Sequence, residues 1–477
     1  MTSSTPRLDP RTRMLLEAPI TPTLLRLAVP NIAVMFAQAA IGLVETYFVG
    51  QLGTDALAGM ALVFPLVMLM QMSSAGAMGG GIASAIARAL GAGRRDDAHR
   101  LVWQAVAIAL GFGLACMGVM WLAGGWLYAR MGGEGPVLAA ALTYSHWVFG
   151  GAVLVWLFNS LAAVVRGTGN MALPALVTIV GVVVAVPLSP MLISGWGPIP
   201  PLGIAGGAIA LLLYYLGGTV ALALYLRSRR SLLQPAWSQA QLSWPLMRGV
   251  LRVGLLGAVS TAATNLSIGI ATGLAGHWGA GAIAGYGTGA RLEYLLVPLV
   301  FGLGAPLVAM VGTSMGAGRP ERALRAAAIG AALAFGMTTV IGVAAALWPL
   351  AWLRLFGHDA AMLEAGTSYL RAVGPFYGFF GVGLVLYFAS QGAGRLMWPV
   401  LGNLLRLLVA GVGGLVVVAS GGTLAQVFAA QAAALVVYGL VIAWSIAGGA
   451  WFGRVGWPRW PGRESATLGG VALRSDR

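Results

Sequence analysis

The chain carries about twelve apolar runs, each long enough to cross a bilayer, and no water-soluble fold can bury that many. A spanning helix needs roughly 20 mostly apolar residues, and such stretches recur from residue 24 to residue 451. Split at glycine, proline and charge clusters, they fall near 24–50, 59–89, 99–123, 137–165, 171–195, 204–226, 250–275, 283–315, 322–350, 363–390, 397–419 and 425–451. Only 9% of the residues are charged, against about a quarter in soluble domains, and the mean hydropathy is +0.86. The expected fold class is therefore an all-α integral membrane protein with the lipid bilayer as its solvent.

The net charge of +15 comes from arginine alone, because none of the 28 basic residues is a lysine. That excludes a Walker-type phosphate lysine and a Schiff-base lysine. The arginines sit in short loops and form no basic patch interleaved with aromatics, which argues against a nucleic-acid partner. Short arginine-rich loops stay in the cytoplasm. With twelve spans, Arg7, Arg11 and Arg13, the loop with Arg94, Arg95 and Arg100, Arg166, the run Arg227, Arg229 and Arg230, Arg319 with Arg322 and Arg325, Arg395, and Arg454, Arg459 and Arg463 share one side. Arg130 and Arg354 lie on the other. The expectation is a multi-pass protein of a bacterial inner membrane with both termini cytoplasmic. Residues 1–23 read as a retained lead-in, since no short apolar region with a cleavage site precedes the first span. Residues 227–249 read as a polar inter-lobe linker, and residues 452–477 as a basic tail whose default state is disorder. Cys116 is the single cysteine and lies in an apolar run.

Internal repetition organises the rest. Ala89-Leu90-Gly91-Ala92-Gly93-Arg94 parallels Ser314-Met315-Gly316-Ala317-Gly318-Arg319, and Arg166-Gly167-Thr168-Gly169-Asn170 parallels Gln391-Gly392-Ala393-Gly394-Arg395. The offsets agree, 316 − 91 = 225 and 392 − 167 = 225, and Leu25-Arg26 matches Leu251-Arg252 at 226. Six spans per half is an even number, so the halves (24–226 and 250–451) share one orientation and are related by an axis along the membrane normal. This arrangement is typical of secondary transporters.

Two carboxylates fall well inside spans, Glu45 and Glu293. A charge at bilayer depth costs at least about 2.5–3.5 kcal/mol, which marks such residues as functional. A low-dielectric site favours the neutral acid, so a lone buried Glu is a natural proton carrier. Asn31, Gln38 and Glu45 recur every seven residues and form one polar stripe, with Pro30 expected to kink the same helix. Arg291 and Glu293 are two apart and cannot face each other, so one of them needs a partner on another helix. Phe376, Tyr377, Phe379, Phe380 and Tyr387, with Thr261, Thr264 and Asn265, would suit an apolar cargo wall with few polar contacts. Gly91, Gly93, Gly316 and Gly318 read as helix terminators because the full P-loop pattern is absent. Gly76, Gly80 and Ser84 read as a small-residue packing line.

Taken together, Val44-Glu45-Thr46, Val49-Gly50-Gln51-Leu52-Gly53, Ala89-Leu90-Gly91-Ala92-Gly93, Asn159 with Arg166-Gly167-Thr168-Gly169-Asn170, Pro201-Leu202-Gly203-Ile204-Ala205-Gly206 and Arg291-Leu292-Glu293 resemble the multidrug and toxic compound extrusion (MATE) transporters, in their DinF-like branch. The resemblance runs the length of the chain. It implies two six-helix lobes around a central cavity, and export of cationic or amphipathic drugs in exchange for inward H⁺ or Na⁺. No other cofactor, no metal site and no catalysis are implied, and the working unit is expected to be a monomer. In the family, a kinked first helix with an acid is the ion-responsive element. Pro30, Gln38 and Glu45 match it, with Glu where Asp is usual, and Asn31 and Asn159 join them as coupling residues. Other family acids are replaced: their positions fall near Ser189, Thr264 and Phe380, and an Asn partner near Ala185. One carboxylate with amides is a thin ligand set for a hard cation, so protons are expected ahead of Na⁺. Two alternatives stand beside this reading. A lipid-linked oligosaccharide flippase would want a cationic cavity, whereas the spans offer chiefly Arg291, Arg371 and Arg406. A lipid-modifying membrane enzyme would want clustered acids or histidines, whereas His99, His146, His277 and His358 are scattered.

Overall fold

Hydropathy and helix length converge in the computed structural model, which describes residues 9–196 and 200–453. The expected tail from Arg454 onward and the first eight residues lie outside the described residues. Eleven helices are long and apolar enough to cross a membrane, and a bent pair supplies the twelfth span. In chain order, spans 1 to 3 are Ile20–Gly50, Thr54–Gly91 and Arg95–Arg130; span 4 is Gly135–Gly150 with Ala152–Gly167; spans 5 and 6 are Ala172–Ser194 and Ile204–Arg227. Spans 7 to 9 are Trp244–Trp278, Ala280–Gly316 and Pro320–Leu347, and spans 10 to 12 are Ala360–Ala393, Met397–Ala419 and Leu424–Ala447. Span 4 bends by 45° at Gly150-Gly151, where two glycines leave the turn unsupported and Gly151 sits against Leu212 with no room for a Cβ.

Each half is a lobe with the same neighbours. Span 1 packs on 5, 5 on 6, 3 on 4 and 2 on 4, and the second half repeats this as 7 on 11, 11 on 12, 9 on 10 and 8 on 10. The lobes meet where span 2 lies against spans 7, 8 and 10, and where span 1 lies against span 8. Spans 2 and 8 cross at their arginine-rich ends almost backbone to backbone. A Cβ on Gly91 would lie 2.1 Å from the Thr313 carbonyl oxygen, and one on Gly316 would lie 2.1 Å from that of Arg88. Since 313 − 88 = 225 and 316 − 91 = 225, the crossing obeys the repeat symmetry. Just beyond it, Gly93 and Gly318 take positive φ and end the helices, as the terminator reading requires.

One irregularity breaks the symmetry. Span 2 has 38 residues and span 8 has 37, and among the described residues a π-helical turn is found in span 2, Met72–Met78, and not in span 8. A π-bulge is an α-helix with one residue inserted. It accounts for the change of repeat offset from 226 before it to 225 after it. The widened turn exposes the Gly76 and Ala77 carbonyls, and both accept from Gln391 Nε2 of span 10, at 3.1 and 3.2 Å. The small-residue line lies here: Ser84 Oγ donates to the Gln391 and Gly392 carbonyls, and the Gln391 carboxamide occupies the space a Cβ on Gly80 would need.

The polar lead-in holds a short helix, Pro10–Glu17, with Leu15 and Leu16 buried. Asp9 caps its first turn. The helix straps the two halves together: Arg322 donates to the Leu15 and Ala18 carbonyls, Arg319 donates to that of Leu16, and Arg11 reaches the Tyr225 hydroxyl. The mid-chain linker is tied down as well, through Trp103 Nε1 to the Ala236 carbonyl and Gln104 Nε2 to that of Gln241.

Candidate functional site

Glu45 lies near the C-terminal end of span 1, yet it is 6% exposed. Its Oε1 accepts a 2.8 Å hydrogen bond from the Tyr144 hydroxyl of span 4. The same oxygen would lie 3.1 Å from a Cβ on Gly207 of span 6, so glycine there leaves the acid its present position without a shift. Among the described residues three ion pairs form, and none includes Glu45.

The other expected coupling residues share its lobe but not its contacts. Seven residues of helix span about 10 Å, so members of the stripe cannot touch one another. Asn31 is buried and bonds back to the Leu27 carbonyl at 3.2 Å, beside Pro30, which sits inside an unbroken helix. Gln38 faces the Tyr214 hydroxyl. Asn159 of span 4 donates to Ser74 Oγ at 2.8 Å and to Gln71 Oε1 at 3.4 Å, while Gln71 Nε2 donates to the Tyr215 hydroxyl. Asn159 therefore belongs to a second polar cluster that ends at the π-turn. Tyr144 is the partner missed at the sequence level. An aromatic residue in a span reads as packing, and only the approach of spans 1 and 4 shows the hydroxyl aimed at a carboxylate.

In the second lobe Glu293 finds the partner on another helix that its spacing required. Its Oε1 accepts from the Tyr369 hydroxyl at 2.6 Å, and Oε2 lies 3.8 Å from Arg406 Nη2 of span 11. The guanidinium also faces the rings of Phe380 and Tyr438, at 5.4 and 5.7 Å. Arg291 points elsewhere, over Phe356 at 5.3 Å. The expected cargo-wall residues divide. Tyr377 and Phe380 are buried in the core around this pair. Tyr387 is buried at the lobe interface, its hydroxyl close to Gly257. Thr261 bonds back to its own helix, and Asn265 is exposed and does the same. Thr264 Oγ1 accepts from Asn403 Nδ2 at 3.0 Å, and Phe376 is exposed.

The chain is a twelve-span, two-lobe membrane protein that holds a buried carboxylate outside the observed ion pairs in its first lobe. The chain belongs to the MatE family, whose sequence model matches residues 30–191 and 247–417, one stretch in each half. It is 27% identical over 401 residues to the FAD transporter of Shewanella oneidensis, covering 83% of this chain and 87% of that one. It is 24% identical over 384 residues to a probable multidrug resistance protein NorM of Thermotoga maritima, covering 79% and 81%. Among solved structures, the fold matches an outward-facing multidrug resistance MATE transporter with a TM-score of 0.83, at 22% identity, over 91% of this chain and 96% of that one. It also matches a MOP-superfamily transporter from Pyrococcus furiosus, described as having a binding pocket of reversed polarity, with a TM-score of 0.83 and 21% identity. The chain is a transporter of small molecules in a membrane.

Proposed function

We propose that the chain is a secondary active antiporter of the DinF-like branch, exporting cationic or amphipathic small molecules by alternating access in exchange for inward protons. The observation that carries this is Glu45: a buried carboxyl group with one phenolic hydrogen bond and no cation beside it. Such a group changes charge at the lowest cost by taking up a proton. Na⁺ wants several oxygen ligands, and one carboxylate with one phenol is a poor set. The arginine-rich ends are assigned to the cytoplasm, with both termini inside, in a bacterial inner membrane. The seam at Gly91 and Gly316 then closes the carrier toward the cytoplasm. The lobes are assigned to 24–226 and 250–451, acting as a monomer, with Arg291, Thr261, Asn265 and Phe376 on the cargo side and the Glu293 pair behind them. The likeness to a relative named for FAD, an anionic cargo, keeps acidic molecules within scope.

The deciding experiment is efflux from proteoliposomes driven by an imposed pH gradient or an imposed Na⁺ gradient, for wild type and Glu45→Gln. The pH gradient should drive the wild type and fail to drive the variant. Transport indifferent to the pH gradient, or coupling that survives the Gln substitution, refutes proton antiport through Glu45.

A further inference from the structure

Arg166 reads in sequence as a topology marker at the end of span 4, but the structure turns it inward. Its Nη2 comes within 3.8 Å of the point where a Cβ on Gly79 would sit. It lines a cavity between the lobes, beside the π-turn of span 2, together with Phe301, Phe388 and Gln391. Lining positions of this cavity are repeat mates: Gly76 with Phe301, Gly80 with Ala305, Ala83 with Val308 and Arg166 with Gln391, each 225 apart, as in 391 − 166 = 225. The cavity therefore straddles the pseudo-two-fold axis, and the two halves face each other there with a cation on one side and an amide on the other.

Gln391 Oε1 is unsatisfied among the described residues, and half-buried Arg166 faces it across the axis without an anion. Arg166 is in none of the three ion pairs and makes no side-chain hydrogen bond, although a guanidinium has five donors. Gln391 is fully buried and its Oε1 has no partner. Its orientation is fixed, because Nε2 is committed to the Gly76 and Ala77 carbonyls. A second guanidinium, that of Arg88, lies on the same seam and bonds Ser84 Oγ and the Gly392 carbonyl. The seam has gathered positive charge with no carboxylate to answer it, which is costly to keep dry and unpaired.

We infer that the axial cavity at Arg166 and Gln391 is a cargo subsite for an acidic group, a carboxylate or phosphate carried by an aromatic amphiphile. Arg166 grips the anion with its paired donors, Gln391 Oε1 accepts a hydrogen bond from the cargo, and Phe301 and Phe388 supply apolar walls. Alternating access requires this seam to part on the cytoplasmic side, and the parting widens the cavity from the side on which cargo is loaded. The inference rests on the exporter reading for direction only and is independent of the coupling ion.

The test is equilibrium binding to the full-length protein in nanodiscs at fixed pH, with no gradient. The probes are tetraethylrhodamine, which carries a free carboxylate, and its ethyl ester, which does not. Wild type should bind the acid more tightly than the ester. Arg166→Gln should weaken acid binding about tenfold or more and leave the ester within about twofold. Gln391→Glu, which supplies Arg166 with an internal anion, should also lose the acid and keep the ester, and ester binding reports that each variant is folded. Equal loss of both dyes, no change in either, or failure of wild type to bind the acid overturns the inference. Intact dye discrimination with failed pH-driven transport would overturn proton antiport instead.

Discussion

Alanine at Gly316 puts a Cβ 2.1 Å from the Arg88 carbonyl oxygen, and alanine at Gly91 does the same to Thr313. A real Cβ keeps at least 3.0 Å from such an atom, so each substitution forces two backbones apart by 3.0 − 2.1 = 0.9 Å. Neither obstacle is a flexible side chain that can swing away. Forcing extra volume into packed contacts costs about 1–3 kcal/mol. The cost falls only on the conformation in which this seam is shut, so the closed-to-open ratio should drop by about 5- to 150-fold. Spin labels at Asp96→Cys and Glu321→Cys, exposed repeat mates on either side of the seam, report the opening in a Cys116→Ala background. The Gly91→Ala/Gly316→Ala protein should show a longer label separation than its parent and a lower rate of drug efflux. An unchanged distance distribution in a folded double variant would show that the crossing of spans 2 and 8 is not the cytoplasmic closure.

Two further outcomes follow from named contacts. Arg406→Leu strands Glu293 in a mostly buried site and should destabilise the protein by about 3–5 kcal/mol, read as a lowered unfolding temperature, while Glu293→Met with Arg406→Leu should recover most of the loss; no recovery would mean that Arg406 acts through its aromatic contacts instead. Arg322→Ala removes two guanidinium bonds to the Leu15 and Ala18 carbonyls, costing about 1.5–3 kcal/mol at the least, so amide exchange across residues 10–17 should quicken about tenfold or more.

Much of the fold could be read from apolar run length alone, since the lipid leaves a spanning segment little choice but helix. The bounds of span 11, Met397–Ala419, agree with the apolar run, and the others differ by a few residues. The break in span 4 falls at Gly150-Gly151, a glycine pair inside an apolar run that reads as continuous. Glu45 and Glu293 stood out through rarity, and the need of either Arg291 or Glu293 for a partner on another helix followed from spacing, but which of the two, and Arg406 as the partner of Glu293, did not. The stripe of Asn31, Gln38 and Glu45 follows one helix face, and the seven-residue spacing leaves its members about 10 Å apart, each with its own partners. Arg166 was counted as a loop charge because sequence shows where a side chain starts and not where it ends. The signal available was the repeat itself, which sets Arg166 opposite Gln391.

The extra residue in span 2 has a consequence for how a duplicated chain can become a pump. Added to an unbroken α-helix, one residue would rephase everything beyond it by about 100°; the π-turn Met72–Met78 takes up that residue and leaves the flanking turns in phase. Past the π-turn, the two halves share a register and meet as mirror-like partners, which suits a joint that must close on itself. At the turn itself, span 2 offers the freed Gly76 and Ala77 carbonyls to Gln391, where span 8 continues as an unbroken α-helix. A perfect duplication would place identical chemistry in both lobes and leave no means of telling ion from cargo. A single residue, absorbed as one wide turn, lets the same scaffold keep a symmetric hinge and hold two unlike sites.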